Sequence, residues 1–114
     1  MQKETIFKRK VLADLKRLKN RWFYKSQEVC IKGIPDIILC LNGLFIALEL
    51  KACAKSRIEE LQRYNAKVIH DRGRGLALIV WPDIWEETLE MLKKIDGWKD
   101  PRRPKVIKNK IKKS

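Results

Sequence analysis

Two acidic residues and a lysine stand out in the apolar stretch at residues 33–51. The Asn-Gly dipeptide at 42–43 separates two runs rich in Ile and Leu, and it favours a type I′ turn because both central positions need a positive φ. A two-residue turn fixes the register of a β-hairpin, so Asp36 on the first strand lies opposite Glu49 on the second. Strand alternation then places Lys51 on the same face as Glu49.

Opposed carboxylates need an explanation, because like charges directly across a strand pair destabilise a sheet. A hard divalent cation with oxygen ligands, Mg²⁺ or Mn²⁺, relieves the repulsion, and the ammonium group of Lys51 suits an anionic substrate. Asp36 and Glu49 therefore predict a metal site at the end of the hairpin. The alternative is that Asp36 only begins its strand and that Glu49 pairs with Lys51 at a solvated edge.

The composition is strongly basic, with 27 Lys and Arg residues against 14 Asp and Glu residues, a net charge of +13 and a pI near 9.9. This excess indicates nucleic acid as the first candidate partner and an anionic membrane surface as the second. No apolar run approaches the ~18 residues of a membrane span, and the first residues lack the apolar region of a signal peptide. We therefore expect a cytoplasmic protein with one main domain in its 114 residues.

The apolar spacing predicts an α/β fold, with a mixed central sheet flanked by helices in the order αβββαβ and then a last helix. The expected elements are a helix over 4–21, a strand at 22–24, the two hairpin strands, a helix from 57 to the glycine at 73, a strand at 76–81 and a helix over 83–97. The last strand should run parallel to a hairpin strand through a right-handed crossover. Both faces of the hairpin are apolar, so we expect cover on both sides of the sheet.

Apolar stripes and capping patterns define the expected helices. Capping boxes at Ser56 with Glu59, and at Asp83 with Glu86, would begin the second and third helices. The residues expected to face the core are Phe7, Val11, Leu15, Leu18 and Trp22 in the first helix, Ile58, Leu61, Asn65 and Val68 in the second, and Trp85, Leu89, Leu92 and Ile95 in the third. The three cysteines lack the spacing of a zinc site or a disulfide framework, so we expect reduced, mostly buried thiols.

Other polar residues are less decisive. Glu4 extends the stripe of the first helix, where it is either an N-terminal charge favoured by the helix dipole or a third acid of the metal site. Gln62 lies at the margin of the second helix and, on its residues alone, is a surface amide. His70 is isolated near the end of that helix, which excludes a Ser-His-Asp catalytic set. The Gly-Arg-Gly at 73–75 lacks the spacing of a Walker A loop.

The composition changes at residue 99, because the segment 99–114 has eight basic residues and one acidic residue. We expect a domain over 1–98 and a disordered tail that is attracted to phosphate. A tail that only increases solubility is the alternative. The candidate phosphate contacts outside the metal site are Lys8, Arg9, Lys16, Arg72, Arg74, Arg102 and Arg103.

The ordered set of Gly33-Ile34-Pro35-Asp36, Glu49-Leu50-Lys51 and Gln62, with an early helical Glu4, resembles the PD-(D/E)XK nuclease superfamily. Within it, the chain is most similar over residues 1–95 to the single-domain VRR-NUC proteins found in phages. The resemblance implies a restriction-endonuclease-like fold, Mg²⁺ or Mn²⁺, and hydrolysis of phosphodiester bonds in DNA. Single-domain members resemble Holliday junction resolvases, so it also implies a homodimer whose two sites cut two strands.

The resemblance implies a role for each matching residue. Asp36 and Glu49 would bind the metal together with the backbone carbonyl of Leu50. Lys51 would position or activate the attacking water and stabilise charge on the phosphate. The matching helix glutamine would help to position the substrate or the lysine, and the early helical glutamate would complete the site.

The residues and the resemblance together predict a metal-dependent DNA endonuclease that selects branched DNA. The rival is a non-catalytic, basic nucleic-acid-binding module, which explains the charge but not the opposed carboxylates. A sequence-specific restriction-type enzyme ranks below both, because the chain has little room for a base-reading subdomain. Trp85 and Trp98 fit a subunit contact or core packing equally well.

Overall fold

In the part of the chain that the structure describes, seven elements follow one another in the predicted order αβββαβα. The computed structural model describes residues 3–26 and 33–99, so the predicted tail lies, beyond its first residue, outside the described part of the chain. The elements are α1 (Lys3–Leu15), β1 (Arg21–Lys25), β2 (Ile37–Leu41), β3 (Leu44–Leu50), α2 (Glu60–Asp71), β4 (Leu76–Val80) and α3 (Pro82–Asp96). Within the described ranges, no helix is both long and apolar enough to cross a membrane.

The four strands form one mixed sheet in the order β1-β2-β3-β4. The β1–β2 and β2–β3 pairs are antiparallel and the β3–β4 pair is parallel, which confirms the α/β class and the direction of the last strand. The hairpin has the predicted register, with Ile37 opposite Leu48. Its turn has φ values of 50° at Asn42 and 89° at Gly43, the left-handed conformation that a type I′ turn needs.

One face of the sheet packs against α1 and α3 and forms the core. Its least exposed side chains are Val11, Leu15, Ile37, Leu39, Leu41, Ile46, Leu48, Leu50, Val80, Trp85 and Leu92. Trp85 donates a hydrogen bond from Nε1 to Oδ2 of Asp14 at 2.8 Å, and its ring meets the ring of Phe7 edge-on at 6.2 Å. Trp85 is therefore a core residue, and Asp14 is a buried acid that the sequence patterns did not single out.

The opposite face of the sheet is only partly covered by the described residues. α2 packs mainly against β4, and none of its residues is fully buried; Leu61, expected in the core, is 46% exposed. Beyond α2, Trp22 is 62% and Tyr24 53% exposed, and the thiol residues Cys40 and Cys53 are exposed as well. The expected cover of the second face is therefore only partial within the described residues, because two of the three described helices pack on the core face. The expectation of mostly buried thiols is wrong for the two described cysteines.

The end of α1 differs from the prediction. α1 ends at Leu15, where the chain tightens into hydrogen bonds three residues apart. The next N–H groups, of Lys19 and Asn20, bind the carboxylate of Asp96 at 2.9 and 2.8 Å instead of continuing the helix. Trp22 consequently belongs to β1 and is exposed, although the helical spacing had placed it in the buried stripe.

The starts of α2 and α3 also differ from the prediction. Gln62 accepts a hydrogen bond from the backbone N–H of Glu59 at 2.9 Å, so capping of α2 uses this pair. Ser56 instead accepts a hydrogen bond within its own turn, from the N–H of residue 53 at 3.2 Å. α3 begins at Pro82, whose fixed φ suits the first helical position, rather than after a cap at Asp83.

Hydrogen bonds join the end of α3 to β1 and to the hairpin turn. The Nδ2 group of Asn42 donates to the carbonyl oxygen of Trp98 at 2.7 Å, and that of Asn20 donates to the carbonyl oxygen of Asp96 at 2.9 Å. Burial raises the pKa of the Asp96 carboxyl group, but the hydrogen bonds from the N–H groups of Lys19 and Asn20 outweigh burial and hold this pKa below its usual value. These contacts hold the turn end of the hairpin against the end of α3.

Candidate active site

Asp36 directly precedes β2, at the end of the hairpin away from its turn. The register of β2 and β3, continued by one residue, places Asp36 beside Glu49. Oδ2 of Asp36 accepts a hydrogen bond from the backbone N–H of Leu50 at 2.8 Å, and its carbonyl oxygen accepts one from the N–H of Ser26 at 2.8 Å. The carboxylate is therefore held against the end of β3.

The segment that leads into Asp36 is held beneath α2 by Gly33. Its φ is +83°, and a Cβ there would lie 2.5 Å from Cγ of Leu61, so only glycine fits. The carbonyl oxygen of Gly33 accepts a hydrogen bond from Nδ2 of Asn65 at 2.7 Å, which gives this polar residue of the expected inner stripe a backbone partner. Close packing of α2 on this segment thus sets where Asp36 begins its strand.

Glu49 is the half-buried, penultimate residue of β3 and pairs with Ile79 of the parallel strand. With Pro35, Ala66 and Ile69 it lines a cavity of about 20 Å³ between the sheet and α2. This volume holds about one water-sized species. The Glu49 side chain therefore lies on the face of the sheet that α2 partly covers, where strand alternation predicts it.

Lys51 and Gln62 are in direct contact. Nζ of Lys51 donates a hydrogen bond to Oε1 of Gln62 at 3.2 Å, and the backbone N–H of Lys51 donates to the carbonyl oxygen of Val80 at 2.9 Å. Oε1 of Gln62 also accepts the capping bond from the N–H of Glu59. Gln62 is consequently half-buried and hydrogen-bonded to Glu59 and Lys51 rather than a free surface amide, and the Glu-x-x-Gln spacing at 59–62 was the signal in the sequence that could have shown its capping contact.

The remaining residues of the predicted site differ in what the structure shows of them. Leu50 is buried at 2% exposure and supplies the N–H that holds Asp36. Glu4 lies in the first turn of α1, and its side chain is outside the described part of the structure. Among the described side chains, no three His, Cys, Asp or Glu groups gather where they could share a metal ion. The single histidine, His70, is exposed in the last turn of α2 beside Asp71, as predicted.

The predicted phosphate contacts are spread over several elements. Lys8 is half-buried in α1, and Arg9 and Lys16 are exposed. Arg72 and Arg74 are exposed in the connection from α2 to β4, near the turn end of β3 rather than near Asp36. Two further candidate phosphate contacts, Arg102 and Arg103, lie outside the described residues. The described cations therefore do not form a single cluster around the candidate site.

Asp36 and Glu49 are the residues that could hold a hard divalent cation at the end of the hairpin away from its turn. Their carboxylate oxygens and the carbonyl oxygen of Leu50 are the hard donors that Mg²⁺ and Mn²⁺ prefer. The hydrogen bond from the Leu50 N–H fixes the orientation of one carboxylate, as outer hydrogen bonds commonly do for metal ligands. No family model, curated protein or solved structure matches the chain.

Proposed function

We propose that the protein is a metal-dependent DNA endonuclease of the PD-(D/E)XK type, with a restriction-endonuclease-like arrangement of its mixed sheet. The observation that carries the proposal is the hydrogen bond of 2.8 Å from the Leu50 N–H to Asp36, which holds this carboxylate against the residue that follows Glu49. Lys51 lies directly after β3 and donates a hydrogen bond to Gln62 at 3.2 Å. Two acids, an ammonium group and an amide thus lie near the carboxyl end of β3.

The residues present divide the chemistry of phosphodiester hydrolysis among them. Asp36, Glu49 and the carbonyl of Leu50 would hold Mg²⁺ or Mn²⁺, which neutralises charge on phosphate oxygens and lowers the pKa of water. Lys51 places a positive charge where negative charge develops on the phosphate. Gln62 limits where that ammonium group can lie, and Glu4 is proposed as the further acid.

The substrate is proposed to be DNA in the cytoplasm, branched and cut by a homodimer. The net charge of +13 supports a polyanionic partner because Lys and Arg side chains neutralise phosphates and release bound counterions. Two identical sites related by a two-fold axis suit the two strands of a junction, since closed two-fold symmetry is the commonest form of assembly. We also propose that the protein is encoded by a phage.

Neutralising either acid tests the proposed function. We expect Asp36→Asn and Glu49→Gln to reduce cleavage of four-way junctions, flaps and linear duplexes at least about 100-fold in Mg²⁺ or Mn²⁺, because losing a ligand costs more than losing an outer partner. Asparagine at 36 can still accept the hydrogen bond from Leu50, so the fold should persist. Binding of DNA in chelator should be unchanged.

Glu87→Gln is the matched control, since it removes one negative charge from an exposed position of α3. Its cleavage should equal that of the unsubstituted protein. Equal cleavage by the Asp36 and Glu49 variants would contradict the assignment. Binding without any metal-dependent cleavage by the unsubstituted protein would favour the accessory nucleic-acid-binding module instead.

A further inference from the structure

Three neighbouring residues form an exposed row across the uncovered half of the sheet, near the hairpin turn. Trp22 pairs with Cys40, and Cys40 pairs with Phe45. All three point to the face away from the core, where Trp22 is 62% and Phe45 40% exposed. We call Trp22 and Phe45, with Cys40 between them, the aromatic row. Tyr24, 53% exposed, lies two residues further along β1 on the same face.

Cationic side chains stand at both ends of the aromatic row. A cavity of about 370 Å³ beside Trp22 and Cys40 is lined by Lys19, whereas the guanidinium group of Arg21 lies over the ring of Phe23, toward the other face. A second cavity, of about 570 Å³, lies beside Phe45 and is lined by Arg72. Among the described residues that line the two cavities, none is acidic. The carboxylate of Asp96 beside the first cavity is engaged by the backbone N–H groups of residues 19 and 20, which line that cavity.

We propose that the aromatic row binds unpaired nucleotides of single-stranded DNA. Exposed aromatic rings stack on the faces of unpaired bases, whatever the base, and the cations beside them attract the phosphates. A duplex keeps its base faces stacked inside the helix, so it cannot use Trp22 and Phe45 in this way. The surface therefore selects a DNA arm that is already unpaired.

The aromatic row shares its face of the sheet with the candidate active site. Cys40 and Ile38 alternate along β2 to this side and Asp36 directly precedes the strand, so Cys40 lies about 13 Å from Asp36 along the chain. Because α2 packs over Ala47 and Glu49, a single strand that stacks on the row would continue along β2, beside α2, toward the candidate site. This step rests on the proposed function, and it narrows the substrate to DNA with a single-stranded arm beside the cut.

A second copy of the chain fits the row less well than DNA does. An isologous contact centred on Trp22 and Phe45 would bring the flanking Lys19 and Arg72 of two copies together, in a chain whose net charge is already +13. Like charges placed across an interface oppose association. The same cations favour a polyanion.

DNA binding measured in chelator tests the aromatic row separately from the proposed nuclease activity, because no metal-dependent cleavage occurs there. We expect oligothymidylate to bind more tightly than a duplex of equal phosphate number, by fluorescence anisotropy. Trp22→Ala and Phe45→Ala should each weaken oligothymidylate binding about 5- to 100-fold, and Trp22→Phe should restore most of it. Tyr64→Ala, which removes a 59% exposed aromatic ring from α2, is the matched control and should bind normally.

A footprint on Cys40 tests the surface without altering it. In a Cys30→Ser, Cys53→Ser background, oligothymidylate should slow the reaction of Cys40 with a maleimide at least several-fold, and the duplex should not. Equal protection by duplex, or unchanged oligothymidylate binding by both alanine variants, would overturn the proposal. So would a dimer in sedimentation that Trp22→Ala dissociates without DNA. If the footprint appears while cleavage is absent, only the proposed function fails.

Discussion

At the scale of single residues, one amide oxygen serves both a helix end and the candidate catalytic lysine. Oε1 of Gln62 accepts from the N–H of Glu59 at 2.9 Å and from Nζ of Lys51 at 3.2 Å. Its cap is worth about 1 kcal/mol of stability. The fold and the ammonium position are therefore coupled through this side chain, and a substitution can separate the two effects.

Gln62→Glu keeps the acceptor for the cap and places a negative charge beside Lys51. We expect a free energy of unfolding within about 0.5 kcal/mol of the unsubstituted protein, since glutamate also completes a capping box. Cleavage should fall, because the added carboxylate competes with phosphate for the ammonium group. Urea unfolding and cleavage rates measure the two effects.

Gln62→Leu provides the comparison for this prediction, because it removes the cap and leaves Lys51 without that acceptor. It should lose about 1 kcal/mol of stability in addition to activity. If Gln62→Glu cleaves as fast as the unsubstituted protein, the charge of Lys51 has no part in the reaction.

At the scale of elements, local signals predicted the hairpin, and distant contacts decided the helix ends. The Asn-Gly turn fixes the register between residues 37 and 48 within the hairpin itself. The end of α1 depends on Asp96, which is 76 to 77 residues away in the sequence, so no local pattern could indicate it. The same holds for the partial cover of the second face, because an apolar strand does not specify which helix will pack on it. The positions of Asp36 and Glu49 on opposite strands follow from this register, so the sequence could predict them too.

Asp96 should make stability depend on pH in the acid range. The pKa of its carboxyl group in the folded protein lies below the ordinary value of 3.8. The hydrogen-bonded carboxylate therefore stabilises the fold fully above pH 3.8, and this contribution is lost as the pH falls through the pKa of the folded state. Asp96→Asn should therefore cost about 1 to 2 kcal/mol at pH 7 and much less at pH 2. Thermal unfolding at both pH values measures the difference. Glu87→Gln should follow the unsubstituted protein throughout, and an equal loss for Asp96→Asn at both pH values would contradict the prediction.

At the scale of the whole molecule, the two faces of the sheet are specialised. α1 and α3 bury one face as the core, whereas the other carries Glu49 under α2 and the aromatic row in the open. Burial of one face supplies the stability of the fold, since apolar area removed from water is its main favourable contribution. The second face is thereby left partly exposed, and the positive charge of the chain favours an anion as the ligand proposed for it.

The salt dependence of DNA binding should reveal which cations contact phosphate. We expect the logarithm of the association constant to fall linearly with the logarithm of salt concentration, because each neutralised phosphate releases counterions. Arg72→Gln should reduce the slope by about 0.7 for single strands, and the double variant Arg102→Gln, Arg103→Gln by about twice that if the basic tail contacts DNA. Lys93→Gln, on the exposed side of α3, should leave it unchanged. Anisotropy titrations in chelator over a range of salt concentrations give the slopes. If Arg72→Gln and Lys93→Gln give the same slope, Arg72 does not contact the DNA strand. Trp22→Ala should keep the slope of the unsubstituted protein, because stacking of a base on an aromatic ring releases no counterions.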